Sequence, residues 1–235
     1  MSIEDALLRF RKGDFILIYD FDEREGETDF AIPAIHVKPK DIAKMRIEGG
    51  GLICVAIHPI AAKKLGLPFM HDILRVASEK IPSLKTVSQA NDVKYDSRSS
   101  FSIWVNHRKT FTGITDRDRA LTIKRIGEAV DAVMLNGYFD FGSEFRSPGH
   151  VALLRAADNL VYERVGQTEL SIALAEIVGI APAVAICEML DSETGRALSK
   201  EKAIKYAEEN DIPFVDGKTI VEKYKEFKEF GEIFV

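Results

Sequence analysis

The sequence predicts an α/β (α+β) fold, a single-domain sandwich running over residues 1–235. Two observations point there. Short β-prone apolar runs such as Phe15-Ile16-Leu17-Ile18-Tyr19 interleave with segments whose apolar residues recur at helical spacing, and no Pro/Ser-rich linker, low-complexity tract or internal repeat divides the chain. Composition agrees: 46% hydrophobic and 29% charged residues over 235 positions suit one sizeable core.

The elements follow in order. Ser2-Ile3-Glu4-Asp5 reads as a helix cap with an acid three residues on; Ile3, Leu7 and Phe10 then share a face, and Gly13 supplies the stop. Phe15 to Tyr19 has the length of a buried strand and empties into a charged loop, Asp20 to Asp29. Further strands are predicted at Leu52 to Ile57, Ser100 to Val105, Val151 to Leu154, Ala183 to Met189 and Ile212 to Val215. Helices are predicted at Pro39 to Arg46, Pro59 to Leu65, Asp116 to Ala129, Thr168 to Val178, Ser199 to Glu209 and Lys218 to Phe227. Pro82 to Ser99 and Gly137 to Gly149 read as surface or site loops.

Charge narrows the function classes. With 32 Lys+Arg against 37 Asp+Glu, the net charge is −5 and the basic residues are scattered, which argues against a nucleic-acid binder. Cys54 and Cys187 lie inside apolar runs and read as reduced thiols, so a cytoplasmic location is expected. No apolar stretch approaches the roughly 20 residues of a membrane span, and Glu4 and Asp5 sit where a signal peptide would be apolar.

Five features could carry chemistry. Asp20, Asp22, Glu23, Glu25, Glu27 and Asp29 crowd carboxylates at a strand end around Arg24, and a divalent cation is the usual compensation. A solvated acidic turn around Gly26 is the alternative. In an extended conformation Glu23, Glu25 and Glu27 would point one way and Arg24 the other. Arg164-Val165-Gly166-Gln167-Thr168-Glu169 precedes an apolar segment, with Thr168 placed to cap a helix beside an Arg, as in a phosphate site. Standing alone, the segment reads more readily as a plain helix cap with a surface Arg. Arg146-Ser147-Pro148-Gly149-His150 reads as a rigid turn presenting an imidazole, and Thr110 to Asp116 as a hydroxyl-rich turn entering a helix. Glu188, at the end of an apolar strand beside Cys187, is a candidate base, and a solvent-facing glutamate at a strand end is the equal alternative. No Cys or His spacing suits a structural zinc site.

These segments, with Gly50-Gly51-Leu52-Ile53-Cys54 and Asn106 to Thr115, resemble 3,4-dihydroxy-2-butanone 4-phosphate synthases of riboflavin biosynthesis, in a stand-alone archaeal-like form. The resemblance spans nearly the whole chain, with five separated motifs in order. It implies an α/β sandwich of the YrdC/synthase type and a homodimer with sites near the subunit interface. The implied reaction takes D-ribulose 5-phosphate to 3,4-dihydroxy-2-butanone 4-phosphate and formate, with two magnesium (or manganese) ions and no organic cofactor.

The implied roles are these. Glu25 ligates metal; Arg24, Glu25 and Asp29 contact the sugar; Arg164 and Thr168 hold the phosphate, with Thr112 also binding substrate. His150 and Glu188 move protons, and Cys54 lies near the substrate. One departure stands out. The family pattern reads Arg-x-Gly-His-Thr, whereas Gln167 occupies the position of the metal-ligand histidine. An amide oxygen is a hard neutral donor, so weakened metal binding with retained activity is expected. The alternatives are an attenuated or silent member that binds a sugar phosphate, and a YrdC-like binding module, which the acidic loop opposes.

Overall fold

The computed structural model describes residues 2–89 and 93–231. Its strands are β1 (Ile16–Tyr19), β2 (Thr28–Pro33), β3 (Cys54–Ile57), β4 (Phe101–His107), β5 (Phe145–Arg155), β6 (Ala183–Glu188), β7 (Leu190–Asp191), β8 (Arg196–Ala197) and β9 (Phe214–Asp216). The helices are α1 (Ile3–Lys12), α2 (Pro39–Lys44), α3 (Pro59–Lys64), α4 (Met70–Ala77), α5 (Ser83–Val87), α6 (Asp116–Met134), α7 (Phe141–Glu144), α8 (Gln167–Ile177), α9 (Lys200–Glu209) and α10 (Gly217–Phe230).

Seven strands form one mixed sheet in the order β4-β5-β3-β6-β2-β1-β9, with β3/β5 and β1/β9 parallel. Alternate side chains leave opposite faces. Leu17, Phe30, Val55 and Leu153 pack under α2, α3, α6 and α9, while Ile16, Ile18, Cys54 and Ala152 pack under α1, α8 and α10. This is the expected α/β sandwich. Each fully buried Phe10- or Ile123-sized side chain contributes about 1.5–3 kcal/mol. Among the elements, α8 is buried at every position but Glu176, so its sequence shows little amphipathic stripe. Its N-terminal turn is thereby fixed against the sheet.

Local signals work at α1, where Ser2 Oγ accepts the Asp5 N–H at 3.2 Å and Gly13 closes the helix at φ 92°. Several expectations change. The loop after β1 ends at Glu27, because Thr28 and Asp29 already belong to β2, which pairs with β1 and β6. Arg146 to His150 is no turn; it is the first half of β5, paired to β4 across a register shift. The long loop Pro82 to Ser99 contains α5, and its residues 90–92 lie outside the described residues. α4 and α7 are helices beyond those the sequence reading predicts. Both cysteines are buried and unbridged.

Candidate active site

Asp20 shapes the acidic loop. Its carboxylate accepts the Glu27 N–H at 2.9 Å, the Glu25 N–H at 3.2 Å and Arg24 Nη1 at 3.1 Å. Those bonds coil the segment from Asp22 into a turn, so the extended alternation of acids does not form. Arg24 folds inward, pairing with Glu25 at 2.8 Å and with Asp96. Asp20 is therefore a structural anchor, and Glu25, Glu27 and Asp29 remain as the acids of the site.

The sheet brings a further acid to them. Asp29 on β2 stands directly opposite Glu188 on β6, and like charges so placed repel. Glu188 is held by the Leu52 N–H, which donates to its Oε2 at 2.8 Å. Gly51 makes room: a Cβ there would sit 2.4 Å from the same oxygen. Burial, then Glu188, Glu27 and Glu25, push Asp29 well above the ordinary carboxylate range. Burial, then Glu25, Glu188 and Asp20, push Glu27 up to about 7. The cluster holds more negative charge than its own cations neutralise.

Helix α8 supplies the other wall. Its cap is Gly166, and Thr168 is the second residue inside the first turn rather than the cap. A Cβ on Gly166 would lie 2.3 Å from Arg164 Nη1, so glycine lets that guanidinium fold across the helix start. Arg164 pairs with fully buried Glu169 at 2.5 Å and with Asp96 at 2.7 Å. Gln167 is fixed by its amide nitrogen, which donates to the Ile18 and Glu27 carbonyls, each at 3.0 Å. Those two acceptors settle which end is nitrogen, and Oε1 is left buried without a partner.

Glu25, Asp29, Cys54, Arg164, Gln167, Thr168 and Glu188 line one cavity of about 170 Å³, closed on its far side by Tyr95, Asp96 and Arg98. Burial and the neighbouring Glu188 and Asp29 hold the Cys54 thiol far above its ordinary pKa, so it forms wall and supplies no thiolate. Two expected residues are elsewhere. His150 is exposed on β5, its Nδ1 3.1 Å from Asn106 Nδ2, while its own N–H donates to Asn106 Oδ1 at 2.8 Å. The amide can only donate from nitrogen, so the imidazole proton sits on Nε2. Thr112 is also exposed, its N–H donating to Asp118 at 3.2 Å while Asn106 Nδ2 approaches its carbonyl at 3.5 Å. Both belong to a separate corner of the molecule.

Sequence reasoning gave no role to Asp96, Asn106 or Glu169. Asn106 and Glu169 stand within the motifs already singled out; Asp96, in a loop with no local pattern, gives no signal.

A hard divalent cation fits these residues. Gln167 Oε1 and Asp29 Oδ1 are buried and unpartnered, in a cluster where burial first and neighbouring acids second raise the proton affinities of Glu27 and Asp29. Among the described residues no three His, Cys, Asp or Glu side chains converge as a ready cage.

An acid-lined cleft at the edge of α8, faced by arginines and suited to a hard cation, marks an enzyme of small-molecule metabolism. The model of the 3,4-dihydroxy-2-butanone 4-phosphate synthase family matches residues 4–223. The synthase of Archaeoglobus fulgidus is 72% identical over 229 residues, covering 97% of this chain and 96% of the relative. Among solved structures, that of the Candida albicans synthase superposes with a TM-score of 0.72 at 26% identity, covering 94% of this chain and 96% of that one. A synthase in complex with two magnesium ions superposes at 0.76, with 24% identity over 97% of this chain and 98% of that one, a likeness of fold alone. The chain belongs to the 3,4-dihydroxy-2-butanone 4-phosphate synthase family, lyases of riboflavin biosynthesis. Among the described residues no helix is long and apolar enough to cross a membrane.

Proposed function

We propose that the chain, as one synthase domain over residues 1–235, converts D-ribulose 5-phosphate to 3,4-dihydroxy-2-butanone 4-phosphate and formate. One observation carries the reading: four separated segments deliver Glu25 with Asp29, Cys54, Arg164 with Gln167 and Thr168, and Glu188 to a single cavity. Arg164 and Thr168, at the first turn of α8, anchor the phosphate. Glu188, oriented by the Leu52 N–H, takes the carbon-bound proton, and Asp29 stands directly opposite it across the sheet. Arg24 fixes Glu25 toward the sugar. Glu25 and Gln167 Oε1 would hold magnesium or manganese, as two ions, without an organic cofactor. A bound metal would supply positive charge to substrate oxygens on which negative charge develops.

His150 and Thr112 join the site from a second copy. Around their corner Phe111 is 93% exposed and Ile114 50%, and the turn carrying exposed Ile47 is tied to the start of α6 by the Arg46–Asp116 ion pair at 2.9 Å. Apolar side chains so exposed supply area for a homodimer. The buried thiols Cys54 and Cys187 support a cytoplasmic location.

The test is formate release from ribulose 5-phosphate with magnesium and with chelator, beside a Gln167→His variant. Turnover that chelator abolishes is the expected result. Silence relieved by Gln167→His would identify an attenuated member whose metal site alone was lost. Silence in both would overturn the proposal.

A further inference from the structure

The anion position between the two site arginines is filled by the protein itself. Asp96 Oδ2 receives Arg164 Nε at 2.9 Å and Arg164 Nη2 at 2.7 Å, and it also receives Arg24 Nη2. The Asp96 side chain is only 11% exposed. One carboxylate oxygen thus collects three N–H donors from two guanidinium groups, the arrangement those groups would give a phosphate oxygen. Neither arginine has spare charge: Arg24 also meets Asp20 and Glu25, and Arg164 meets Glu169. Arg98 differs. It lines the same cavity with its guanidinium 3.8 Å from the Phe69 ring centroid, and no carboxylate pairs with it among the described residues.

We infer that Asp96 is a built-in competitor for the substrate phosphate, displaced from between Arg24 and Arg164 when a phosphate dianion binds. The inference rests on the reading of Arg164 as the phosphate anchor. With Asp96 in place, Arg24, Arg98 and Arg164 face Asp20, Glu25, Glu169 and Asp96, and a further anion meets net negative charge. With Asp96 withdrawn, one negative charge leaves the site and the vacated donors point at the entering oxygen. A neutral sugar cannot replace a charge-paired carboxylate, whereas a dianion restores every ion pair that Asp96 gives up. Asp96 therefore sets specificity for phosphate esters by lowering the population of the competent state.

Titration calorimetry of the full chain with orthophosphate at constant ionic strength tests this, using Asp96→Asn, Asp96→Ala, Asp96→Glu and Arg164→Gln. Asp96→Asn keeps the side-chain shape and removes the charge. It should bind orthophosphate about tenfold more tightly, with a matching fall in KM for ribulose 5-phosphate and no rise in kcat. Asp96→Ala should shift the same way, and Asp96→Glu should keep the parent's affinity. Unchanged or weaker binding in the Asn and Ala variants, with loss of binding in Arg164→Gln, would overturn this inference alone. Parent-like orthophosphate binding in Arg164→Gln would overturn the anchor reading, and the inference with it.

Discussion

The two ends of α8 place carboxylates in opposite circumstances. At the C-terminal end, Glu176 accepts His58 Nε2 at 2.9 Å, the Tyr224 hydroxyl at 2.6 Å and Lys228 Nζ at 2.8 Å. The Ile60 N–H donates to His58 Nδ1 at 3.1 Å, which leaves the imidazole proton on Nε2 and aims it at Glu176. Burial pushes Glu176 up, and the bonds from His58, Lys228 and Tyr224 outweigh it, bringing the group down to about 2. At the N-terminal end, Asp29 and Glu27 lie beside Glu188, and burial together with the neighbouring acids pushes Asp29 and Glu27 upward. A carboxylate surrounded by donors stabilises the fold. Carboxylates that face each other lower stability and are maintained where a ligand's charge is to be met.

The largest expected effect of testing that contrast is at Glu188. Glu188→Gln should lower kcat for formate release by about a thousandfold while leaving stability equal or higher, since the charge opposite Asp29 is gone. Mixed with an inactive His150→Ala chain, it should regain up to about a quarter of parent activity, because half the dimers then hold one intact site. No recovery would break the shared-site assignment.

Glu176→Gln should instead leave turnover alone and lower unfolding free energy at neutral pH by about 2 kcal/mol, read from denaturant midpoints. The sign follows from the depressed value. Glu176 stabilises the chain above its ordinary 4.5, and that contribution is lost as pH falls from there toward about 2. The Gln variant should lack this acid-dependent loss.

Glu27 gives the smaller and opposite effect. With its folded value raised to about 7, its ionisation destabilises the metal-free chain above that pH, and the cost disappears as pH falls from about 7 toward 4.5. Chelated protein should therefore gain stability on mild acidification, and Glu27→Gln should flatten that gain. A profile that stays flat in the parent would show that the carboxylate cluster carries no such repulsion.

Legibility in the sequence divides along similar lines. α1, α6 and α9 announce themselves through Ser2, Thr115 and Ser199, each of which accepts the N–H three residues on. β2 hides because it opens with Thr28 and Asp29, polar residues no more than 2% exposed, where a strand signal would be apolar. The start of β5 hides because Arg146-Ser147-Pro148-Gly149 has turn composition, yet Arg146 pairs with Asn106 and Phe145 with His107. The motif residues of the site were legible as types. Their grouping was legible only for Glu25, Asp29, Cys54, Arg164, Gln167, Thr168 and Glu188, and not for His150 or Thr112.

By itself the sequence determined the interleaved strands and helices, through apolar runs and caps that act over a few residues. It also determined the acidic loop and the amide at position 167. Only the tertiary structure decided that Asp29 confronts Glu188, that Asp96 bridges Arg24 and Arg164, and that His150 lies outside the cavity. The reason is physical. Helix caps and strand runs depend on neighbours in the chain, whereas the state of a charge depends on distance and burial, which are set by segments far apart in sequence.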